Sequence, residues 1–286
     1  RPLIELCKAG RLLEVQKWIA ADKPVNPPPI PNSGRRGKTP LEFAIQQGFH
    51  SLVQVLLEGG AVIEPDDWTG PVYRAMKVKR LDIIQLLAQH GYDPRSVDME
   101  QVFDSWEPRI MAYFIEQGAD IQTGKPFAYA FCNRIRTALG VFKTYRQRFP
   151  FLQEHANIAL RHHCREGNLK WVALMLWVGA DPYEPGADTY TEEAGDEEED
   201  EGLAALGYAA LYGHYQVFRM KPVRLTPTDP RVSRFIRYLC RGEGVDVLKD
   251  LLEKGAVTND QENGGSSALE HCLDEMDWMR PTDTWD

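Results

Sequence analysis

TPLEFAIQQGFHSLVQVLLEGGAVIE, residues Thr39 to Glu64, is the stretch on which the fold turns. Thr39-Pro40 is a helix start, because a hydroxyl can cap the free amides of a first turn and proline fits the first helical position. Gly48 then breaks the chain. Counted from it, Leu52, Val53, Leu56 and Leu57 at +4, +5, +8 and +9 form one apolar helical stripe. Gly60 follows, as expected of a helix that ends in a left-handed residue. The stretch therefore predicts a helix, a tight turn and a second helix. Asn157 to Pro182, NIALRHHCREGNLKWVALMLWVGADP, has the same order of apolar pair, glycine, apolar face and terminal Gly-Ala.

A pattern found twice invites a search for its period, which must precede any other assignment. With Gly48 as template, reference positions fall at Gly10, Gly48, Val78, Trp106, Ile135, Gly167, Gly213, Glu243 and Glu275, at intervals of 38, 30, 28, 29, 32, 46, 30 and 32. Gly60, Gly118, Gly179 and Gly255 stand 12 residues after their references and Gly91 stands 13 after its own. Pro222 falls where the second helix of the Gly213 unit would continue, so that helix is expected to be short.

These residues resemble the ankyrin repeat, whose motif runs Thr-Pro-Leu-His-x-Ala-Ala, a glycine turn and Leu-Leu-x-x-Gly-Ala-Asp. Thr39-Pro40-Leu41 with Ala44 and Gly48 match its start, and Gly118-Ala119-Asp120 and Gly179-Ala180-Asp181 its ending. The units at 97–122 and 127–153 lack the Thr-Pro-Leu start. The expected fold is all-α, an ankyrin-like solenoid of about eight or nine helix pairs. It would be a single domain over 1–286, with possible capping units at 1–30 and 265–286 and an acidic insertion at 184–202.

Composition agrees with a folded chain: of 286 residues, 43% are hydrophobic and 26% charged, which excludes disordered and collagen-like classes. The longest apolar run, Trp171 to Val178, falls well short of the roughly 18 to 20 residues of a membrane span. No signal-peptide pattern stands near the start. Five dispersed cysteines suggest a reducing compartment, and the cytoplasm is the expected location.

Catalytic and cofactor signals are lacking. Cys7, Cys132, Cys164, Cys240 and Cys272 each stand three residues before a reference, in the slot that holds Ile45 in the best unit, and so read as small core residues. His162, His163 and Cys164 are adjacent on a helix, about 100° apart, and are not expected to converge on a metal without partners from elsewhere. No nucleophile elbow, phosphate loop or dinucleotide fingerprint is present. The expectation is a non-enzyme with no catalytic residue, cofactor or metal. Trp171, Trp177, Phe127, Tyr129 and Phe131 read as packing, whereas Trp68, after Asp66-Asp67 in a turn between units, reads as a contact residue.

The resemblance implies a partner laid along the inter-repeat fingers and the exposed ends of the first helices, two residues before each reference. That row is Lys8, Gln46, Met76, Asp104, Asn133, Arg165, Leu211 and Arg241. Net charge is -9, from 33 basic and 42 acidic residues, and the stretch 184–201 alone carries Glu184, Asp188, Glu192, Glu193, Asp196, Glu197, Glu198, Glu199, Asp200 and Glu201 with no lysine or arginine. Just before it, 125–170 carries Lys125, Arg134, Arg136, Lys143, Arg146, Arg148, Arg161, Arg165 and Lys170 against Glu154 and Glu166.

Three readings of the acidic finger stand open: a solvated insertion, a flap over the basic stretch, or a lure for a basic partner. The functional expectation is a protein-binding module, an inhibitor, immunity or adaptor protein that is monomeric when unbound and takes a partner with a basic surface. The alternative is a nucleic-acid-binding protein or enzyme using 125–170; nucleic acid is disfavoured because the neighbouring acids would repel it.

Overall fold

The computed structural model describes residues 2–27, 38–63, 70–190, 202–223, 225–239 and 244–256. Among these residues all the regular structure is helical, and it divides into two compact units, 1–123 and 124–286. The first unit holds four helix pairs: α1 (Pro2–Lys8) with α2 (Leu12–Ala20), α3 (Pro40–Gln46) with α4 (His50–Glu58), α5 (Pro71–Lys77) with α6 (Leu81–Gln89), and α7 (Met99–Phe103) with α8 (Pro108–Glu116). First helices pack on first helices, α1 on α3 and α3 on α5, and second on second, α2 on α4 and α4 on α6.

The second unit repeats the plan with α9 (Pro126–Cys132), α10 (Ala138–Tyr145), α11 (Leu152–Arg165), α12 (Leu169–Val178), α13 (Ala205–Leu211), α14 (Ser233–Ile236) and α15 (Gly244–Glu253). Here α9, α11, α13 and α14 stack in one layer, and α10, α12 and a 3-10 turn at Tyr215–Arg219 in the other. That turn stands where Pro222 was expected to cut the second helix short, and Met220 leaves it extended at ψ 130.

The start of α3 forms as its sequence requires. Thr39 Oγ1 accepts from the Glu42 amide at 3.2 Å, and the Glu42 carboxylate accepts from the Thr39 amide at 2.9 Å, a reciprocal cap with Pro40 at the first position. The predicted stripe of α4, Leu52, Val53, Leu56 and Leu57, is buried. The same offsets bury Ile110, Met111, Phe114 and Ile115 in α8. Each such side chain contributes about 1.5–3 kcal/mol by leaving water, which explains how helices of seven to nine residues persist.

Between the helices of a pair the chain passes through one left-handed residue: Gly10, Gly48, Lys79, Trp106, Arg134, Gly167 and Gly213, with φ between 56° and 74°. Two references therefore shift, from Val78 to Lys79 and from Ile135 to Arg134. With this register Asp22, Gly60, Gly91, Gly118 and Gly179, all at positive φ, each stand 12 residues after their hinge. A side chain at such an angle costs about 1–2 kcal/mol that glycine avoids. Lys79→Gly is accordingly expected to raise stability by about 1 kcal/mol, read as a higher urea midpoint at unchanged slope; a lower midpoint would mean that the lysine side chain holds the turn.

Candidate partner-binding face

The register correction decides where the predicted surface row lies. Lys8, Gln46, Arg165 and Leu211 are exposed and Asp104 is half-buried; Asn133 is exposed as well, but its reference was one residue late, and the position two before the true hinge at Arg134 is Cys132, which is buried. Met76 is buried at 1% exposure, so it does not belong to the row. Its reference was one residue early, and the side chain two before the true hinge is Lys77, which is exposed and sits 5.0 Å over the Tyr73 ring. Asp66, Asp67, Trp68, Glu192, Glu193, Glu197, Glu198, Glu199 and Arg241 lie outside the described residues, as do Cys240 and Cys272.

Of the exposed large apolar side chains among the described residues, five stand at the hinges, while Leu13, Val62, Trp177 and Leu252 stand elsewhere. Phe49, Trp106, Leu169, Leu211 and Tyr212 are 39, 45, 38, 42 and 47% exposed and lie within two residues of a hinge. Trp106 is the sharpest case, because a bulky side chain occupies the left-handed hinge itself at φ 56°. Of these residues the sequence reading named Leu211 in its row and missed Phe49, Trp106, Leu169 and Tyr212, although Trp106 stood at a reference position. In the other direction, Trp177 is 58% exposed rather than packed, with the Lys143 ammonium 3.8 Å from its ring centroid. It follows the α12 stripe of Trp171, Val172 and Met175 on the solvent side. Trp171, Phe127 and Phe131 are core residues as expected, and Tyr129 packs edge-on to Tyr190 at 5.5 Å.

In the second unit the root of the acidic finger is built on α9 and α11. Arg161, read from sequence as one of the surface cations, is fully buried. Its guanidinium donates to the carbonyls of Ala187 at 2.6 Å, Glu184 at 3.1 Å and Pro185 at 3.3 Å, and it pairs with Glu154. The Gly186 amide donates to the Gly202 carbonyl at 2.9 Å, closing the neck of the finger. Gly186 has to be glycine: at φ 149° any Cβ would come within 2.9 Å of the Arg161 guanidinium.

Beyond the neck the ascending limb rests on the row. Asp188 pairs with Arg165 at 2.7 Å, and Tyr190 meets Tyr129 and lies 3.5 Å from the Asn133 amide nitrogen. Arg165 is also 5.4 Å over the Tyr212 ring. These bonds hold the Arg165 guanidinium further in its charged form, with the Asp188 hydrogen bond as the main cause. The basic stretch is thus largely engaged inside the fold. Arg134 pairs with Glu166 at 2.9 Å, Arg146 caps the Val178 carbonyl, and Lys143 covers Trp177.

The thiols bear out the packing reading. Cys7, Cys132 and Cys164 are buried and unbridged, and burial pushes the Cys7 and Cys132 thiols up to about 12 and Cys164 higher still. His162 and His163, by contrast, do converge with a third group: Glu166, one turn on, brings a carboxylate so that one donor atom from each of the three lies within 4.8 Å of the others. An open cleft of about 390 Å³ lined by Cys132, Asn133, Arg134, His162, Glu166 and Tyr190 lies over His162 and Glu166, with His163 buried behind them.

Two buried histidines, His155 and His163, shape the acid response of this unit. His155 is 3% exposed, and burial, aided by the Lys125 charge, pulls its pKa down to about 4. The unfolded chain takes up this proton near 6.5 and the folded chain does not, so stability is whole above pH 6.5 and falls as pH drops towards 4. The expected slope from His155 is up to about 1.4 kcal/mol per pH unit, read by urea melts across that range. His155→Leu is expected to remove this share and leave that of His163, which burial likewise brings to about 4, and an unchanged slope in the variant would assign the effect to other groups.

The hinge register, the reciprocal Thr39–Glu42 cap and the two-layer stacking within each unit together decide the architecture. The fold is the ankyrin repeat fold. No protein-family model matches the chain. One stretch of 74 residues is 42% identical to the human 2-5A-dependent ribonuclease, covering 23% of this chain and 10% of that protein. The match thus spans a tenth of that relative's length. Among solved structures, the human ASB11 ankyrin repeat domain is 17% identical with a TM-score of 0.46, over 73% of this chain and 97% of that one. The ankyrin repeat domain of Bcl-3 is 16% identical with a TM-score of 0.49, over 85% of this chain and all of the other. Among the described residues no helix is long and apolar enough to cross a membrane.

Proposed function

We propose that the chain is a non-catalytic protein-binding module that uses the hinge face of its repeats and the acidic finger to hold a partner with a basic surface, as an inhibitor, immunity protein or adaptor. One observation carries this reading. Trp106 occupies a hinge where glycine would be less strained, and it keeps its indole in water. Strain retained beside an exposed aromatic is a mark of contact surfaces, and tryptophan, tyrosine and arginine dominate binding hot spots. Tyr212 and Arg165 supply the same chemistry in the second unit.

The finger adds the sign of the partner. Its root is fastened by Arg161, and the acids Glu192, Glu193, Glu197, Glu198 and Glu199 follow it in the sequence. Such a charge run accelerates encounter with a cationic surface and suppresses acidic competitors. The single domain over 1–286, the monomeric state and a cytoplasmic location belong to the same proposal.

Affinity capture from native lysate tests it, using the intact chain beside a variant whose acids from Glu192 to Glu201 are changed to glutamine or asparagine. A stoichiometric basic partner is expected on the intact chain. Its association at low salt is expected to slow by about tenfold or more in the variant, as steered encounters do. Equal rates would remove the finger from the interface. Oligonucleotide binding with a steep salt slope, and no protein partner, would instead assign 125–170 to a phosphate polymer.

A further inference from the structure

His163 poses an electrostatic problem that the packing of the repeat leaves unsolved. It is fully buried, and its Nε2 lies 3.0 Å from the Phe131 carbonyl oxygen. A carbonyl can only accept, so Nε2 carries the proton and Nδ1 of the neutral ring carries a lone pair. Nδ1 has no hydrogen-bond partner, and it points at Glu166 Oε2 from 3.5 Å. In that tautomer two electron-rich atoms face each other across 3.5 Å. On the other side of the carboxylate, His162 Nε2 lies 3.5 Å from Glu166 Oε1.

An imidazole that donates one nitrogen's proton to a backbone carbonyl and turns the other nitrogen's lone pair to a carboxylate has the arrangement of a metal ligand with its outer partner. The spacing agrees as well. Four bonds of about 2.0–2.1 Å to a tetrahedral ion place neighbouring donors about 3.3 Å apart; each histidine lies 3.5 Å from one oxygen of the carboxylate, His162 from Oε1 and His163 from Oε2, and the three donors lie within 4.8 Å of one another, so the side chains close by about an ångström on an ion. Arg134, at 2.9 Å from Glu166 Oε2, fixes the carboxylate in place. Hydrogen bonding of a ligating carboxylate is the usual outer-shell arrangement.

We propose that His162, His163 and Glu166 bind one divalent transition-metal ion of the zinc class, with its fourth position open to the cleft beneath Tyr190. Two imidazoles and a carboxylate select Zn2+, Co2+ or Ni2+ over Mg2+ and Ca2+, which prefer oxygen donors throughout. The site stands apart from the protein-binding reading, since it rests on α11 alone with the Phe131 carbonyl behind it. It links to the finger through Tyr190, which lines the same cleft.

The test uses the untagged full chain, stripped with chelator, in equilibrium dialysis against Zn2+ and in Co2+ titrations followed by visible absorption. One equivalent is expected to bind, with Mg2+ failing to compete and with cobalt bands of a low-coordinate nitrogen and oxygen site. His162→Gln, at a half-buried position, and Glu166→Gln are each expected to weaken binding about tenfold or more, while circular dichroism stays that of the parent. If Glu166→Gln fails to fold, His162→Gln decides alone. Absence of stoichiometric binding, or binding that His162→Gln leaves unchanged, would overturn the site.

Discussion

Arg161→Met is expected to lower the unfolding free energy by about 3–5 kcal/mol, the cost of breaking a buried ionic network from one side. The side chain is wholly inside the protein and serves three carbonyls, those of Glu184, Pro185 and Ala187, as well as Glu154. Methionine fills a similar volume and donates nothing, so those carbonyls lose their partner, at about 1–3 kcal/mol for each that stays buried. Glu154 matters less, because its side chain is 47% exposed and water replaces the guanidinium. Urea melts give the loss, and limited proteolysis is expected to show faster cleavage within 184–202. Arg161→Lys keeps the charge without the fork and is expected to recover only part of the loss. A cost below about 1 kcal/mol would mean that the finger's root is held by other contacts.

Gly167→Ala comes next in size, at about 2–4 kcal/mol. Two physical terms combine. The hinge sits at φ 69°, where a Cβ costs about 1–2 kcal/mol. The following repeat closes over this turn, so that an added Cβ would lie 2.5 Å from His214 Nδ1 and 2.7 Å from its Cε1. Relief requires His214 to move, which breaks its 3.0 Å bond to the Arg165 carbonyl, or the backbone to shift at an overpacking cost of about 1–3 kcal/mol. Gly60 separates the terms, since it is equally left-handed at φ 86° and a Cβ there meets nothing within 4 Å. Gly60→Ala is therefore expected to cost about 1 kcal/mol, and Gly167→Ala with His214→Ala to recover the steric share. Equal losses at the two glycines would show that the repeats do not close on the hinge.

The hinge at Gly167 and the hinge at Lys79 also show how far the sequence could be read. Where the left-handed residue is glycine, as at Gly10, Gly48, Gly167 and Gly213, the register follows from one letter and a helical stripe. Where lysine or arginine takes that angle, at Lys79 and Arg134, the letter carries no signal and the reference slips by one residue. That slip is enough to place Met76 on the surface instead of Lys77. Arg161 was counted with the surface cations because charge sums hold no depth. Its signal was positional: it stands six residues before its hinge, where Glu42 stands in the first-quoted repeat, and both are buried. The convergence of His162 and His163 on Glu166 escaped for the opposite reason, since the adjacent run His162, His163 and Cys164 was weighed without the residue one turn on.

Amide hydrogen exchange of the chain, alone and with the captured partner, tests the binding face most directly. Protection is expected at the Trp106 hinge, in 129–134, in the finger limb 184–190, and in 208–214, where Asn133, Asp188, Tyr190, Leu211 and Tyr212 stand, with weaker change along the buried α12 stripe. Protection confined to α12 and the Trp177 side, or spread evenly over both layers, would contradict a partner held on the hinges and the finger.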